Sequence, residues 1–314
     1  MSNAIKTIFY GEALIDVVVK DGVVLIENVG GSPLNSAVAL ARQGHRAAIV
    51  TPMSRDDRGE KIKQSLVNSG VDTSLLYETN LATTVANAQI QSDGSSKYDF
   101  VISGTSQDEW GNIDIASGPT EGDILSVSGS FALGVDSMAE VIGKVITIGS
   151  KYHTLIFDPN VRPSVISQHA DKAKALKRFE DWAKLATVVK ASDEDMQWLY
   201  GNAPLPEVAK RLLDSGTKLF IVTQGGSGAT AWTSSQKVSV AAEQVEVVDT
   251  IGAGDTFNAG VIAALIEKGI LSKEAIASIG ENDLKDVVER GVRMSAEVCA
   301  RQGADPPWAK QLER

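Results

Sequence analysis

The chain has 314 residues, 43% of them hydrophobic, a formal net charge of −10 and one cysteine. That length accommodates one large α/β domain or two small ones, each around a substantial buried core. The acidic balance, with no block of Lys and Arg, argues against a nucleic-acid or anionic-membrane partner, and a lone Cys299 excludes an intrachain disulfide. His45, His153 and His169 are scattered without metal-ligand spacing, and Cys299 reads as a small buried apolar residue. No uninterrupted apolar run approaches the roughly 20 residues of a membrane span. The N-terminus lacks a basic stretch followed by an apolar one, so a cytoplasmic enzyme is expected.

After the unpatterned Met1 to Ala4, a β-rich run at 7–10 opens the chain. Residues 14–29 then read as strand, turn at Asp21-Gly22, strand. A helix is expected over 33–43, with Pro33 in its first turn, where a missing N–H costs nothing. A strand at 47–50, a helix at 58–69 and a second hairpin at 83–102, turning at Asp93-Gly94, follow. Strands at 124–127, 154–157, 187–189 and 219–222 then alternate with helices at 135–152 and 170–185, and helices at 255–268 and 283–300 complete the pattern. This rhythm predicts crossover units and a largely parallel sheet in a single domain spanning 1–314. The two hairpins break the rhythm. They are either ordinary surface hairpins or the strands of a small projecting sheet.

No G-x-x-x-x-G-K-S/T sequence occurs, so a P-loop is not supported. Gly226-Ser227-Gly228-Ala229-Thr230-Ala231 matches a dinucleotide fingerprint, but residues 231–234 continue as strand or turn, and a pyrophosphate needs a helix N-terminus there. An NAD oxidoreductase therefore rests on a decoy. Asp249-Thr250-Ile251-Gly252-Ala253-Gly254-Asp255 differs, because Phe257, Val261, Ala264, Leu265 and Lys268 follow at helical spacing. Amides from Gly252 to Asp255 would point outward, unpaired, at a positive helix end. Side chains no larger than Ala let a phosphoryl group approach those donors. Asp255 is then either a base beside this anion hole or a helix N-cap.

The stretch 249–257 resembles the D-T-x-G-A-G-D-x-F signature of the ribokinase-type (phosphofructokinase-B) carbohydrate kinases. Four further stretches are similar to that family in the same order: Gly11-Glu12-Ala13-Leu14-Ile15-Asp16, Gly30-Gly31-Ser32-Pro33-Leu34-Asn35, Asp158-Pro159-Asn160-Val161-Arg162 and Thr223-Gln224-Gly225-Gly226-Ser227-Gly228. The resemblance implies a ribokinase-like α/β fold, a central mostly parallel sheet flanked by helices with a small β lid from about 14–29 and 83–102. It implies Asp255 as the base on a sugar hydroxyl and Gly252, Ala253 and Gly254 as stabilisers of the transferring phosphoryl group. Asp16, Gly31 and Asn35 would hold sugar hydroxyls, Arg162 would face the substrate, and Thr223, Gly225 and Gly228 would line the ATP side.

The chain also departs from the family. Its N-x-x-E, which organises magnesium through water, appears as Ser192-Asp193-Glu194-Asp195, one methylene short at Asp195, while Asp193 and Glu194 read as a solvated helix start. Potassium is implied at Asp249 and the carbonyls of Ile251 and Gly303, near an R-x-G-A-like Arg301-Gln302-Gly303-Ala304. Arg293 falls where many members carry a small or amide residue near the adenine. GEALID and Tyr98-Asp99-Phe100 resemble fructokinase-like members, with Phe100 packing on the sugar, so a neutral hexose, fructose first, is expected. A 2-keto-3-deoxygluconate kinase is the alternative within the class, and a non-catalytic sugar- or nucleotide-binding protein the alternative outside it. Members of the family often pair through the lid, which makes a homodimer a further expectation.

Overall fold

Apolar β-branched runs give strands and 3.6-periodic apolar faces give helices. In the computed structural model, which describes residues 5–90, 96–113, 115, 119–120 and 122–312, the strands are β1 (Lys6–Tyr10), β2 (Leu14–Lys20), β3 (Val23–Gly30), β4 (Arg46–Val50), β5 (Pro52–Ser54), β6 (Tyr77–Thr79), β7 (Val85–Ile90), β8 (Ser96–Val101), β9 (Ile124–Ser128), β10 (Thr154–Asp158), β11 (Val188–Ser192), β12 (Leu219–Thr223), β13 (Ala229–Trp232) and β14 (Lys237–Val240). The helices are α1 (Ser32–Arg42), α2 (Asp57–Asn68), α3 (Ser130–Gly134), α4 (Asp136–Tyr152), α5 (Pro163–His169), α6 (Lys172–Ala183), α7 (Asp193–Tyr200), α8 (Leu205–Ser215), α9 (Ala253–Lys268), α10 (Lys273–Ala277) and α11 (Glu281–Cys299).

Eight strands form the central sheet in the order β14-β13-β12-β11-β10-β9-β1-β4. The pairs from β4 across to β12 are parallel, and β13 and β14 add an antiparallel edge. Successive residues of one strand enter opposite cores: Ile8 and Tyr10 of β1 pack on one side of the sheet and Phe9 on the other. A sheet covered on both faces needs continuous apolar runs rather than alternation, which is why β9 and β10 are buried at every position. Helix α9 is buried from Asp255 through Leu265 and packs against α1 and α11. Its close approach to α11 depends on Gly260, where a Cβ would lie 2.8 Å from the Arg290 carbonyl oxygen.

The hairpins do combine into one small sheet, ordered β3-β2-β7-β8, through a parallel pairing of β2 with β7. Asp21 and Gly22 turn the first hairpin with φ of 51° and 77°, as an Asp-Gly turn of this hand requires. The Asp93-Gly94 turn lies outside the described residues. Val23, Val24, Leu25 and Ile26 of the edge strand β3 are all exposed.

Several elements depart from the sequence reading. Helices α3, α5, α8 and α10 and strands β5, β6 and β14 were not anticipated, and of α7 only the start at Asp193 and Glu194 was. Most are too short to establish a period, although Val208, Ala209 and Leu212 already mark the buried face of α8. Strand β11 runs on to Ser192 rather than ending at 189, because Lys190, the charge that breaks its apolar run, is buried in an ion pair with Asp158.

Candidate active site

The carboxyl ends of β1, β9, β10 and β11 open beside the first turn of α9, the side on which parallel α/β sheets gather ligands. Gly252 precedes that turn in the left-handed conformation at φ 76°, and a Cβ there would meet Ala304 Cβ at 2.9 Å. The Thr256 amide closes onto the Gly252 carbonyl at 2.8 Å, and the Ala253 amide donates to the Thr250 carbonyl at 3.2 Å. The expectation of an unbroken row of free amides from Gly252 to Asp255 is corrected at Ala253, whose donor is taken up inside the turn. Among the described residues, the amides of Gly252, Gly254 and Asp255 have no hydrogen-bond partner. They stand as donors at the positive end of a sixteen-residue helix.

Asp255 is not an N-cap. It lies inside α9, and its carboxylate accepts Ser32 Oγ at 2.6 Å on Oδ1 and Asn35 Nδ2 at 2.9 Å on Oδ2. Ser32 in turn shares a 2.6 Å hydrogen bond with Ser128 Oγ, and Ser36 Oγ donates to the Asp255 carbonyl at 3.1 Å. These contacts knit the first turn of α1 to the first turn of α9. Gly31 starts α1 at φ 112°, and a Cβ there would lie 2.4 Å from the Glu12 carbonyl oxygen, so no other residue fits.

Acids gather around this junction. Burial raises Asp16 to about 6, with Arg162 pulling the other way and Asp255 adding to the rise. Asp16 also needs a glycine opposite it: a Cβ on Gly30 would fall 2.0 Å from Asp16 Oδ2. Glu12 is fully enclosed, and burial drives it to about 7 against the pull of its own amide, Arg162 and the Ser32 amide. Its Oε2 has no partner among the described residues and faces Gly129, where a Cβ would lie 2.6 Å away. Arg162, exposed at the end of its loop, is the cation facing both Glu12 and Asp16.

One layer deeper, Lys190 Nζ pairs with Asp158 Oδ2 at 2.9 Å, with 5% and 2% of the two side chains exposed. Burial raises Asp158 to about 6 even beside the ammonium. Ser192 and Asp195 form a reciprocal capping box on α7: Ser192 Oγ accepts the Asp195 amide at 3.0 Å and Asp195 Oδ2 the Ser192 amide at 2.8 Å. Asp195 Oδ1 accepts the Val161 amide at 2.7 Å, tying the loop after β10 to α7. Asp193 and Glu194 are exposed, in keeping with a solvated helix start.

On the other side of α9's first turn lies a cleft of about 740 Å³ including its open mouth, lined by Thr223, Gly225, Gly228, Val247, Gly254 and Ala296 among others. Gly228 has φ 95° and no room for a side chain, with the Val240 carbonyl oxygen 2.0 Å from where its Cβ would be. A strand follows it, not a helix, so the dinucleotide fingerprint is a decoy here. Cys299 lines the cleft half-buried rather than sitting in the core, and burial raises its thiol. Arg293 donates instead to the Leu312 carbonyl. Asp249 accepts the Ile251 amide at 3.0 Å and the Gly303 amide at 2.9 Å, fastening this turn to the C-terminal loop. Phe100 packs edge-to-face on Phe131 at 5.6 Å. The side chains of Lys97 and Tyr98 lie outside the described residues.

Residues 6–311 match the pfkB family of carbohydrate kinases. The chain belongs to that family. This kinase is 33% identical to the fructokinase of Rhizobium leguminosarum bv. trifolii over 282 residues, 88% of this chain and 84% of the relative. It is 28% identical to the probable fructokinase-4 of Arabidopsis thaliana, covering 99% and 97% of the two chains. Its fold superimposes on an ATP-bound fructokinase from Xylella fastidiosa with a TM-score of 0.82 at 23% identity, covering 95% and 93%. A double mutant of the Vibrio cholerae fructokinase, solved with fructose, ADP and potassium, gives 0.78 at 25% identity, covering 96% and 94%.

The sequence reading of the kinase site passed over Glu12, Ser32, Ser128, Asp158 and Lys190 as functional groups. Glu12, Ser32 and Asp158 stood inside quoted motifs. Lys190 left a sharper signal, a single charge in the otherwise apolar Val188-Val189-Lys190-Ala191. No helix of the described residues is long and apolar enough to cross a membrane.

Proposed function

We propose that this kinase transfers the γ-phosphoryl group of ATP to a hydroxyl of fructose. The observation that carries the reading is the position of Asp255: one carboxylate between the sugar-side residues of α1 and β2 and the free amides at the start of α9. In this reading Asp255 accepts the proton of the sugar hydroxyl, Ser32 and Asn35 hold its oxygens in place, and Asp16, Gly31 and Asn35 orient the sugar. The amides of Gly252 and Gly254, with Ala253 between them, receive charge that develops on the phosphoryl group. Thr223, Gly225 and Gly228 border the nucleotide. Fructokinase relatives, one at 33% identity, support fructose among the hexoses.

Electrostatics supports a neutral sugar over 2-keto-3-deoxygluconate. Arg162 already faces the carboxyl groups of Glu12 and Asp16, so a sugar carboxylate would compete with Asp16 for one guanidinium. Magnesium would be held mainly by nucleotide oxygens. Asp195 uses both oxygens on backbone amides and would act on the ion only through water. Asp249 and the carbonyls of Ile251 and Gly303 make an all-oxygen donor set suited to potassium, and the carboxylate fixes the turn that carries it.

We read residues 1–314 as one unit acting in the cytoplasm, with the small sheet as a lid. A second copy would cover the exposed apolar β3, making a homodimer; sedimentation of Leu25→Asp as a monomer beside a dimeric parent would support this, and identical sedimentation would refute it. The deciding experiment is ADP release across fructose, ribose, tagatose, 2-keto-3-deoxygluconate and adenosine. A substrate preferred over fructose by kcat/KM would overturn the sugar assignment. ATP turnover with none of them, together with tight sugar binding, would favour a non-catalytic binding protein.

A further inference from the structure

Lys190 is an expensive residue to bury. An apolar side chain of similar length would fill the same space in β11 without a charge to neutralise, and buried ion pairs seldom repay their desolvation. Yet Lys190 is 4% exposed, and its described hydrogen bonds use one of the three donors of its ammonium, at 2.9 Å on Asp158. The attraction of Asp158, Asp195 and Asp255 outweighs burial and raises the ammonium, so it is charged throughout the neutral range.

Its location gives that charge a use. A Cβ built on Gly254 would lie 3.0 Å from Lys190 Nζ. Gly254 is also a wall of the nucleotide cleft and carries one of the free amides of α9. The ammonium thus presses on one side of a single glycine whose other side faces the cleft. The neighbouring acids are compensated in other ways: Asp195 accepts two backbone amides, Asp255 accepts Ser32 and Asn35, and Asp158 Oδ1 accepts the Asn160 amide at 3.0 Å.

We propose that Lys190 is a positioning residue for charge: held by Asp158 behind Gly254, it supplies the fixed positive potential that makes the first turn of α9 favour the terminal phosphate of a nucleoside triphosphate. The proposal deepens the kinase reading and rests on it only in taking a nucleoside polyphosphate as ligand; the identity of the sugar does not enter. Two consequences of opposite sign follow. Loss of the ammonium weakens binding in proportion to phosphate charge. Loss of the Asp158 carboxylate, which offsets that ammonium, does not.

The test is calorimetric titration of the full chain with adenosine, ADP and ATP in excess magnesium, for Lys190→Met, Asp158→Asn and the double variant, with melting temperatures recorded. Lys190→Met is expected to leave adenosine within about two-fold, weaken ADP by a few-fold and weaken ATP by about ten-fold or more. Asp158→Asn is expected to bind ATP as tightly as the parent or a few-fold more tightly. The double variant carries no unpaired buried charge, serves if Lys190→Met does not fold, and is expected to discriminate less between ATP and adenosine than the parent does. Equal factors for all three ligands in the Lys190 variants, no change in any of them, or a loss of ATP affinity in Asp158→Asn as large as in Lys190→Met would overturn the proposal. If the parent itself bound ATP no better than adenosine, the kinase reading would fail first, and that is read from the parent alone.

Discussion

Replacing Glu12 by Gln removes a buried acid while keeping its size and leaving an acceptor for the Ser32 amide. Burial lifts this carboxyl from the ordinary value of 4.5 to about 7. Below pH 4.5 the folded and unfolded chains both carry the proton and the shift has no effect on their balance. Between 4.5 and about 7 the unfolded chain releases it while the folded protein keeps it, so stability falls as pH rises, and above about 7 the loss is complete. At about 1.4 kcal/mol per pH unit, the full window is worth roughly 3 kcal/mol. Asp16 and Asp158, both raised to about 6, contribute in the same direction but are common to both proteins and cancel in the difference. Urea unfolding of ligand-free parent and Glu12→Gln at several pH values from 5 to 8 measures that difference directly. The parent should lose roughly 2.5 kcal/mol more than the variant across the range, minus what the unfolded state and local relaxation absorb. Parallel stability curves would show that Glu12 does not hold its proton in the folded protein, and the account of this buried acid would be wrong.

Asp255→Asn should keep ATP affinity within a few-fold while lowering kcat about a hundred-fold or more, read from ADP release and calorimetry; near-normal turnover would remove Asp255 from the base role. Gly31→Ala, with a Cβ 2.4 Å from the Glu12 carbonyl oxygen at φ 112°, should cost about 3 kcal/mol or more by urea unfolding. Gly44→Ala, at φ 86° with nothing within 4 Å, should cost only about 1 kcal/mol, and equal losses would refute the steric argument. Exchanging potassium for tetramethylammonium should slow ADP release several-fold; an unchanged rate would count against a cation at Asp249, Ile251 and Gly303.

Much of the architecture was legible because the signals are local. Apolar runs of four or five residues separated by 3.6-periodic segments specify parallel strands and crossover helices, and the six helices anticipated from periodicity appear within two residues of their expected starts. The Asp21-Gly22 turn follows from the positive φ that such a turn demands. The small residues of Gly252-Ala253-Gly254 likewise announced a close backbone approach before a helix. Whether Asp255 caps that helix or faces a substrate was not local information, since both choices use the same residue beside the same glycines.

The sequence by itself determined the alternation of strands and helices, the Asp21-Gly22 turn, and the acid at the head of α9, because each is set by backbone conformation and by neighbours a few positions away. Only the tertiary structure decided that Ser32 and Asn35 grip Asp255 from more than 200 positions away, that Glu12 is shut into a space where Oε2 has no partner among the described residues, and that Lys190 and Asp158 meet beneath Gly254. Those relations depend on which strand lies beside which in the sheet and on how completely water is excluded from the ends of β1, β9, β10 and β11. A charge acquires its chemical meaning from that enclosure, and enclosure is a property of the packed chain rather than of any segment of it.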